Sequence, residues 1–260
     1  MDSPWSFFKH IYVVSLKSEK ERRENCKKLF ETYNCSNYEI FDAVNGKQHP
    51  TLKQHYIDTG VLNPSINLSA GGIGCLASHR ILWDKVYHSI DSSEPFWTLI
   101  FEDDFSFHPL FTTKLFNEYI RNIPSDAKYI KFGHHMVPEG YKMYPHVNKY
   151  WLALNNFKSY GTYCYAVHSD ILNSLASYKN YKEAVDNISL KQGFYGALDP
   201  ETVLGVPRQP NMKWILYDDP YTGRKQEYRG IVGCVSADSS TYDPTISENL
   251  MFEYLKKLNN

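Results

Sequence analysis

Residues 101–105 read Phe-Glu-Asp-Asp-Phe, so Glu102, Asp103 and Asp104 follow directly on the apolar run 95–101. Adjacent carboxylates repel one another and need a compensating charge or open water. Convergent carboxylate oxygens suit a hard divalent cation such as manganese or magnesium. A cation of that kind can bridge the oxygens of a diphosphate and neutralise charge developing on a leaving group. Extended geometry pairs Glu102 with Asp104 on one face and turns Asp103 to the other. A solvated acidic turn or a helix N-terminus is the plainer reading of the same residues.

Carboxylates at the end of an apolar strand belong at the carboxyl edge of an open α/β sheet, where ligands bind. The remaining chain supplies the pieces of such a sheet. Residues 10–16 are apolar and β-branched and read as a buried strand. Residues 17–30 are highly charged with a sparse apolar face, which predicts a surface helix. Residues 38–44 read as a second strand, ended by the turn pair Asn45-Gly46, and 48–67 as irregular. Ser69 opens a helix that carries Leu82, Val86 and Ile90 on one stripe. Residues 110–123 have helical spacing, 127–133 and 161–168 are strand-like, and 169–178 form a helix capped by Ser169 or Asp170. Strands alternating with helices predict an α/β fold with a mostly parallel central sheet flanked by helices. The expectation is one domain, 1–260.

The chain has 260 residues, 42% hydrophobic and 22% charged, which excludes a disordered chain. Lys+Arg is 28 against Asp+Glu 29, so no whole-chain attraction to nucleic acid is expected. No apolar run approaches the roughly 20 residues of a membrane span, and residues 1–20 lack a basic n-region followed by an apolar h-region. Five scattered cysteines without a CxxC pair read as free thiols of a reducing compartment, so a cytoplasmic location is expected. The last segment, 248–258, carries Leu250, Tyr254 and Leu258 on one helical stripe, with Lys256 and Lys257 in the last turn. Packing onto the domain is its plain reading; weak peripheral membrane contact is the alternative.

Four stretches, in order, resemble glycosyltransferase family 25, which includes bacterial lipooligosaccharide and collagen galactosyltransferases. IYVVSLKSEKERRENCKKL (11–29) is similar to the family's opening strand and Arg-rich helix, and FDAVNGK (41–47) to its Ala-Val-Asp-Gly-Lys turn. LSAGGIGCLASHRILWDKV (68–86) resembles its Ser-Pro-Gly-Glu-Ile-Gly-Cys…Ser-His…Trp block, and LIFEDDFSF (99–107) its Glu-Asp-Asp strand end. The likeness runs over roughly 10–190. This chain departs from the pattern at Asn45, where the family has Asp, and at Gly72, where it has the Glu of a capping box.

The resemblance implies a GT-A type, Rossmann-like nucleotide-sugar fold, with a donor-binding part at about 10–133 and an acceptor part at about 134–260. It implies a UDP-sugar donor (galactose, glucose or xylose), a glycan acceptor, manganese or magnesium, and transfer with inversion. Asp104 is then the first candidate metal ligand and Glu102 the next, while Asp103 binds ribose or donor sugar. Val14, Ser15 and Leu16 line the uridine site, joined by Ala43 and Asn45. Arg23 reaches a phosphate or the base, or is a solvated helix charge. Ser78 and His79 lie early on the helix opened by Ser69, with His79 either at the donor or stacked near Trp83. Asp186 is the candidate base, with Asp199, Glu201, Asp218 and Asp219 as rivals. Tyr195, Trp214, Tyr217 and Tyr221 form a candidate acceptor platform. The alternative is an inactive module that binds nucleotide-sugar or glycan; a metal-dependent phosphohydrolase is a third reading.

Overall fold

A computed structural model describes residues 3–89, 94–136, 144–155, 159–185, 190–205, 216–218 and 225–234. Asp186, Trp214, Asp219, Tyr221 and the segment 248–258 lie outside the described residues. The backbones of Tyr217 and Asp218 are described, their side chains not.

A nine-stranded sheet forms the middle layer. Its strands, in chain order, are β1 (Phe8–Ser15), β2 (Tyr38–Asp42), β3 (Trp97–Glu102), β5 (Tyr129–Met136), β6 (Trp151–Ala153), β7 (Tyr160–His168), β8 (Phe194–Ala197), β9 (Leu216–Asp218) and β10 (Lys225–Gly230). β4 (Phe105–Phe107) and β11 (Val232–Cys234) make a separate antiparallel ribbon. The main path is β2-β1-β3-β7-β5-β10-β9, with β8 beside β5 and β6 beside β8. The α-helices among the described residues are α1 (Lys20–Thr32), α2 (Leu52–Asp58), α3 (Ala70–His88), α4 (Thr113–Arg121), α5 (Leu172–Ser177) and α6 (Pro200–Leu204), with short 3-10 turns at Pro4–Phe7, Gly46–Gln48 and Ser169–Ile171.

The sheet is mixed, which corrects the mostly parallel expectation. β1–β2, β1–β3 and β5–β8 are parallel. The pairs β3–β7, β5–β7, β5–β10, β9–β10 and β6–β8 are antiparallel. β7 inserts between β3 and β5 and runs against both, a non-local pairing that strand–helix alternation does not encode. Two local expectations also change. A helix, α2, occupies part of the stretch read as irregular. The segment after β7 starts as a 3-10 turn whose N-cap is His168, while the Ser169 hydroxyl accepts the Phe96 amide at 3.2 Å.

Strand alternation divides the core into two layers. Ile11, Val13, Leu99, Phe101, Cys164 and Ala166 face one side of the sheet, with Cys26 and Phe30 of α1 and Phe116 and Tyr119 of α4. Tyr12, Val14, Ile100, Tyr165 and Val167 face the other, with Leu76, Leu82, Trp83 and Val86 of α3 and Leu172 of α5. Strands covered on both faces have no polar side to show, which is why 10–16 and 95–101 read as continuous apolar runs. Phe30 is fully buried, its ring 5.2 Å edge-on to Phe101; truncating such a ring costs about 3–5 kcal/mol. Among the described residues no helix is long and apolar enough to cross a membrane.

Candidate active site

Register brings the carboxyl ends of three parallel strands level. Ser15 pairs with Asp42, and Val14 with Glu102. Beyond that edge the chain turns into α1, into the 43–47 segment, and through Asp103-Asp104 into β4. A cleft of about 460 Å³ opens there, lined among others by Val14, Ser15, Leu16, Arg22, Ala43, Asn45, Lys47, Gly71, Cys75, Ser78, Glu102, Asp103 and Asp104.

Two glycines bring the far wall together. A Cβ on Gly46 would lie 1.9 Å from the Ala70 carbonyl oxygen, and one on Gly74 would lie 2.5 Å from that of Val44. Only bare backbone fits, so the 43–47 turn sits directly on the first turns of α3. Ser78 fastens the contact: its hydroxyl donates to the Gly74 carbonyl at 2.6 Å and accepts the Val44 amide at 2.8 Å. Ser69 caps α3 by accepting the Gly72 amide at 3.1 Å, and the Asn45 side chain accepts the Lys47 amide at 3.1 Å.

The acidic triplet is not an extended strand. β3 ends at Glu102, and Asp103-Asp104 form a turn, so Asp104 stays near Arg22 with Asp103 instead of returning to the Glu102 face, and all three border the cleft. Asp103 accepts from the Ser15 hydroxyl at 2.6 Å and from Arg22 at 3.0 Å. Arg22 also lies 3.8 Å from Asp104. Partial burial works against the Arg22 charge, but Asp103, Asp104 and Glu19 outweigh it and raise the guanidinium pKa.

Glu102 faces inward, its side chain 25% exposed. Its Oε1 accepts from Thr162 at 2.7 Å and Cys75 at 3.5 Å, and lies 3.2 Å from His79 Nε2. Burial pushes the Glu102 carboxyl up; the contacts to His79, Thr162 and Cys75 outweigh it and hold it below the usual carboxylate range. His79 is fully buried, with Nδ1 2.6 Å from the Tyr165 hydroxyl, which also accepts from Trp83 Nε1 at 3.0 Å. Every proton of this chain finds an acceptor when Tyr165 donates to Nδ1 and Nε2–H donates to Glu102, which assigns the tautomer.

Nine of the expected site residues therefore border one cleft: Val14, Ser15, Leu16, Ala43, Asn45, Ser78, Glu102, Asp103 and Asp104. Two stand behind its walls. Arg23 donates to the Ser15 and Leu16 carbonyls at 2.7 and 3.1 Å and to Asp42 at 2.7 Å, clamping the ends of β1 and β2. His79 lies beneath Glu102 and does not open to the cleft. Of the rival bases, Asp199 is buried and accepts the Gly230 amide, and Glu201 is buried 3.1 Å from His108. The Tyr195 ring packs in the core and its hydroxyl donates to the exposed Asp126 at 2.7 Å.

Arg22, Lys47 and Cys75 line the cleft without having been singled out from the sequence. Arg22 precedes buried Cys26 by one helical turn, and Cys75 precedes His79 by one. The i, i+4 spacing was the available signal for both.

The family model described as glycosyltransferase family 25 (LPS biosynthesis protein) matches residues 8–189. A protein of Acanthamoeba polyphaga mimivirus with glycosyltransferase in its name is 36% identical over 107 residues, covering 40% of this chain and 31% of the relative. The lipooligosaccharide biosynthesis protein lic2B of Haemophilus influenzae is 35% identical over 97 residues, 36% of this chain and 34% of the relative. A glycosyltransferase 25 family member of Aedes aegypti is 30% identical over 112 residues, 41% of this chain and 18% of the relative. The matched stretches thus span about a third or less of these relatives. The family match covers most of the chain, including every residue named as lining the cleft, and the chain belongs to glycosyltransferase family 25.

Proposed function

We propose that the chain is a metal-dependent, inverting glycosyltransferase that moves a sugar from a UDP-sugar to a hydroxyl of a glycan. The observation that carries this reading is the cleft at the carboxyl ends of β1, β2 and β3, bordered by three carboxylates and lying within the family match. In α/β sheets, nucleotides occupy that edge.

The donor set fits a hard dication in its chemistry. Glu102 Oε1 meets Thr162, His79 and Cys75, and the residue also borders the cleft. Asp104 borders the same space 3.8 Å from Arg22, which meets Asp103 more closely, at 3.0 Å, beside the Ser15 hydroxyl. Asp104 and Glu102 are thus the residues that would hold manganese or magnesium. When bound, the ion would neutralise charge on the departing diphosphate. Gly71, in the first turn of α3, and Lys47 border the cleft and bring a helix N-terminus and a cation toward the phosphates. Residues 14–16 and 43–46 form walls for the nucleoside. Asp103 holds the first wall in place through Ser15.

In the reaction, the acceptor oxygen bonds the anomeric carbon as the bond to the diphosphate breaks and UDP departs. Asp186 remains the proposed base that takes the acceptor proton. The acceptor class is a surface glycan of the lipooligosaccharide type, the product class in the name of the Haemophilus influenzae relative. A cytoplasmic site of action suits that class.

The test is UDP release from a panel of UDP-sugars, with and without manganese, alongside Asp104→Asn. Slow manganese-dependent release from one donor is expected, reduced about 100-fold or more in the variant, which corresponds to roughly 3 kcal/mol of charge stabilisation. Binding without release, even with glycan acceptors added, identifies an inactive binding module. Neither binding nor release overturns the reading.

A further inference from the structure

Cys75, His79 and Glu102 meet beneath the cleft, and three observations make the group more than a set of hydrogen bonds. The first is spacing. Their ligand atoms all lie within 4.8 Å of one another. His79 Nε2 is 3.2 Å, and Cys75 Sγ 3.5 Å, from Glu102 Oε1. A tetrahedral zinc with bonds of about 2.0–2.3 Å sets its ligand atoms roughly 3.3–3.8 Å apart. Both measured edges are close to that range. The third edge, between Cys75 and His79, runs along one turn of α3 and is no longer than 4.8 Å.

The second observation is the surrounding shell. Ligating histidines hold their other ring nitrogen in a hydrogen bond, and ligating carboxylates are themselves hydrogen-bonded. Tyr165 already meets His79 Nδ1, and Thr162 already donates to Glu102. The third is access. Cys75 and Glu102 border the cleft while His79 is buried, so an ion would enter from the open side.

We propose that Cys75, His79 and Glu102 form a three-ligand site for a zinc-class cation, with its fourth position open to the cleft. Thiolate and imidazole select this class over magnesium or manganese. On binding, the Cys75 thiol gives up its proton and His79 coordinates through Nε2. The ring proton shifts to Nδ1, and the Tyr165 hydroxyl, until then the donor to that nitrogen, turns its own proton away and accepts it. Ion binding therefore releases one proton per site. The site shares Glu102 with the cation of the proposed donor chemistry, but its test concerns binding of the metal alone through the Cys75 thiolate, so its failure and the failure of the donor reading are separate outcomes.

The test is titration of the full chain with zinc and with cobalt(II), without nucleotide. Cobalt is expected to give intense tetrahedral ligand-field bands and a thiolate charge-transfer band, at one ion per chain. Cys75→Ala should lose the charge-transfer band. Tyr165→Phe should keep it, with zinc affinity weaker by about 10–100-fold. Asp104→Asn should leave the thiolate charge-transfer band in place. Absence of the thiolate band in the wild-type chain overturns the site. So does zinc binding that survives Cys75→Ala but disappears in Asp104→Asn, which would put the ion among the surface carboxylates. If Cys75→Ala fails to fold, Cys75→Ser, with a hard oxygen in place of sulfur, makes the same comparison.

Discussion

Glu102 and Asp103 are adjacent in the chain but are held from opposite sides and by different chemistry. Glu102 points into the layer between the sheet and α3, toward a hydroxyl, an imidazole and a thiol. Asp103 points toward α1, where a guanidinium that is itself 44% exposed holds one oxygen and the Ser15 hydroxyl the other. The first arrangement depends on burial, since each donor loses water as well as its partner if the carboxylate goes. In the second the cation is exposed while the carboxylate is not: Asp103 is 11% exposed, but Arg22 approaches it from solvent, which can replace much of what that ion pair supplies. One acidic motif thus contains a group held by buried donors of the α3 layer and a group tied to an exposed guanidinium.

Substitutions can separate the two. Glu102→Ala strands buried donors, and a loss of about 1–3 kcal/mol for each one left unsatisfied is expected in urea unfolding. Asp103→Ala should cost less, about 0.5–1.5 kcal/mol, because the Ser15 hydroxyl keeps the Leu16 carbonyl as an acceptor at 3.3 Å. Equal losses would break the contrast. Thr162→Val preserves shape and removes only the 2.7 Å bond to Glu102; about 1 kcal/mol is expected. Arg22→Ala should cost about 0.2–1 kcal/mol at low ionic strength and less in high salt. A loss that salt does not change would show that the rim pair is held as tightly as the buried one.

The smallest perturbation is a thiol reagent. Cys26, on the Asp103 side, is buried, and its thiol is pushed up to about 12 by that burial and then by the charges of Asp103 and Asp104. It stays protonated and unreactive near neutral pH. Cys75, on the Glu102 side, is half-buried and borders the cleft. Alkylation of the folded chain near pH 8, followed by peptide mass spectrometry, should label Cys75 well before Cys26. Labelling of Cys26 should rise only as the pH climbs toward 12 or the chain unfolds. Equal rates would mean that α1 opens readily from the sheet edge.

The strands that build the site were legible because each is a short apolar run with a turn signal at its end. Residues 10–16, 38–44 and 95–101 became β1, β2 and β3 with small shifts in their bounds. Ser69 was legible as a cap because its neighbours start an apolar helix. The insertion of β7 between β3 and β5 was not legible, since pairing partners far apart in the chain leave no periodic trace. His79 was ambiguous for a related reason. Helical spacing sets it one turn before Trp83, but only the tertiary fold brings Tyr165 to its other side. Arg23 looked like a free cation because clamps onto strand-end carbonyls are invisible until the strands are in register.

The contact between Gly46 and Gly74 has a mechanical consequence. Elsewhere in a protein, a side chain between two segments can change rotamer and absorb a small displacement. Here the 43–47 turn and the first turns of α3 meet backbone to backbone, with Ser78 bridging them. A shift of either segment is transmitted nearly undamped to the other. One wall of the cleft thus moves as a single stiff body, and its contour is drawn by main chain. Side-chain substitutions along that contact can loosen the wall but have little room to reshape it.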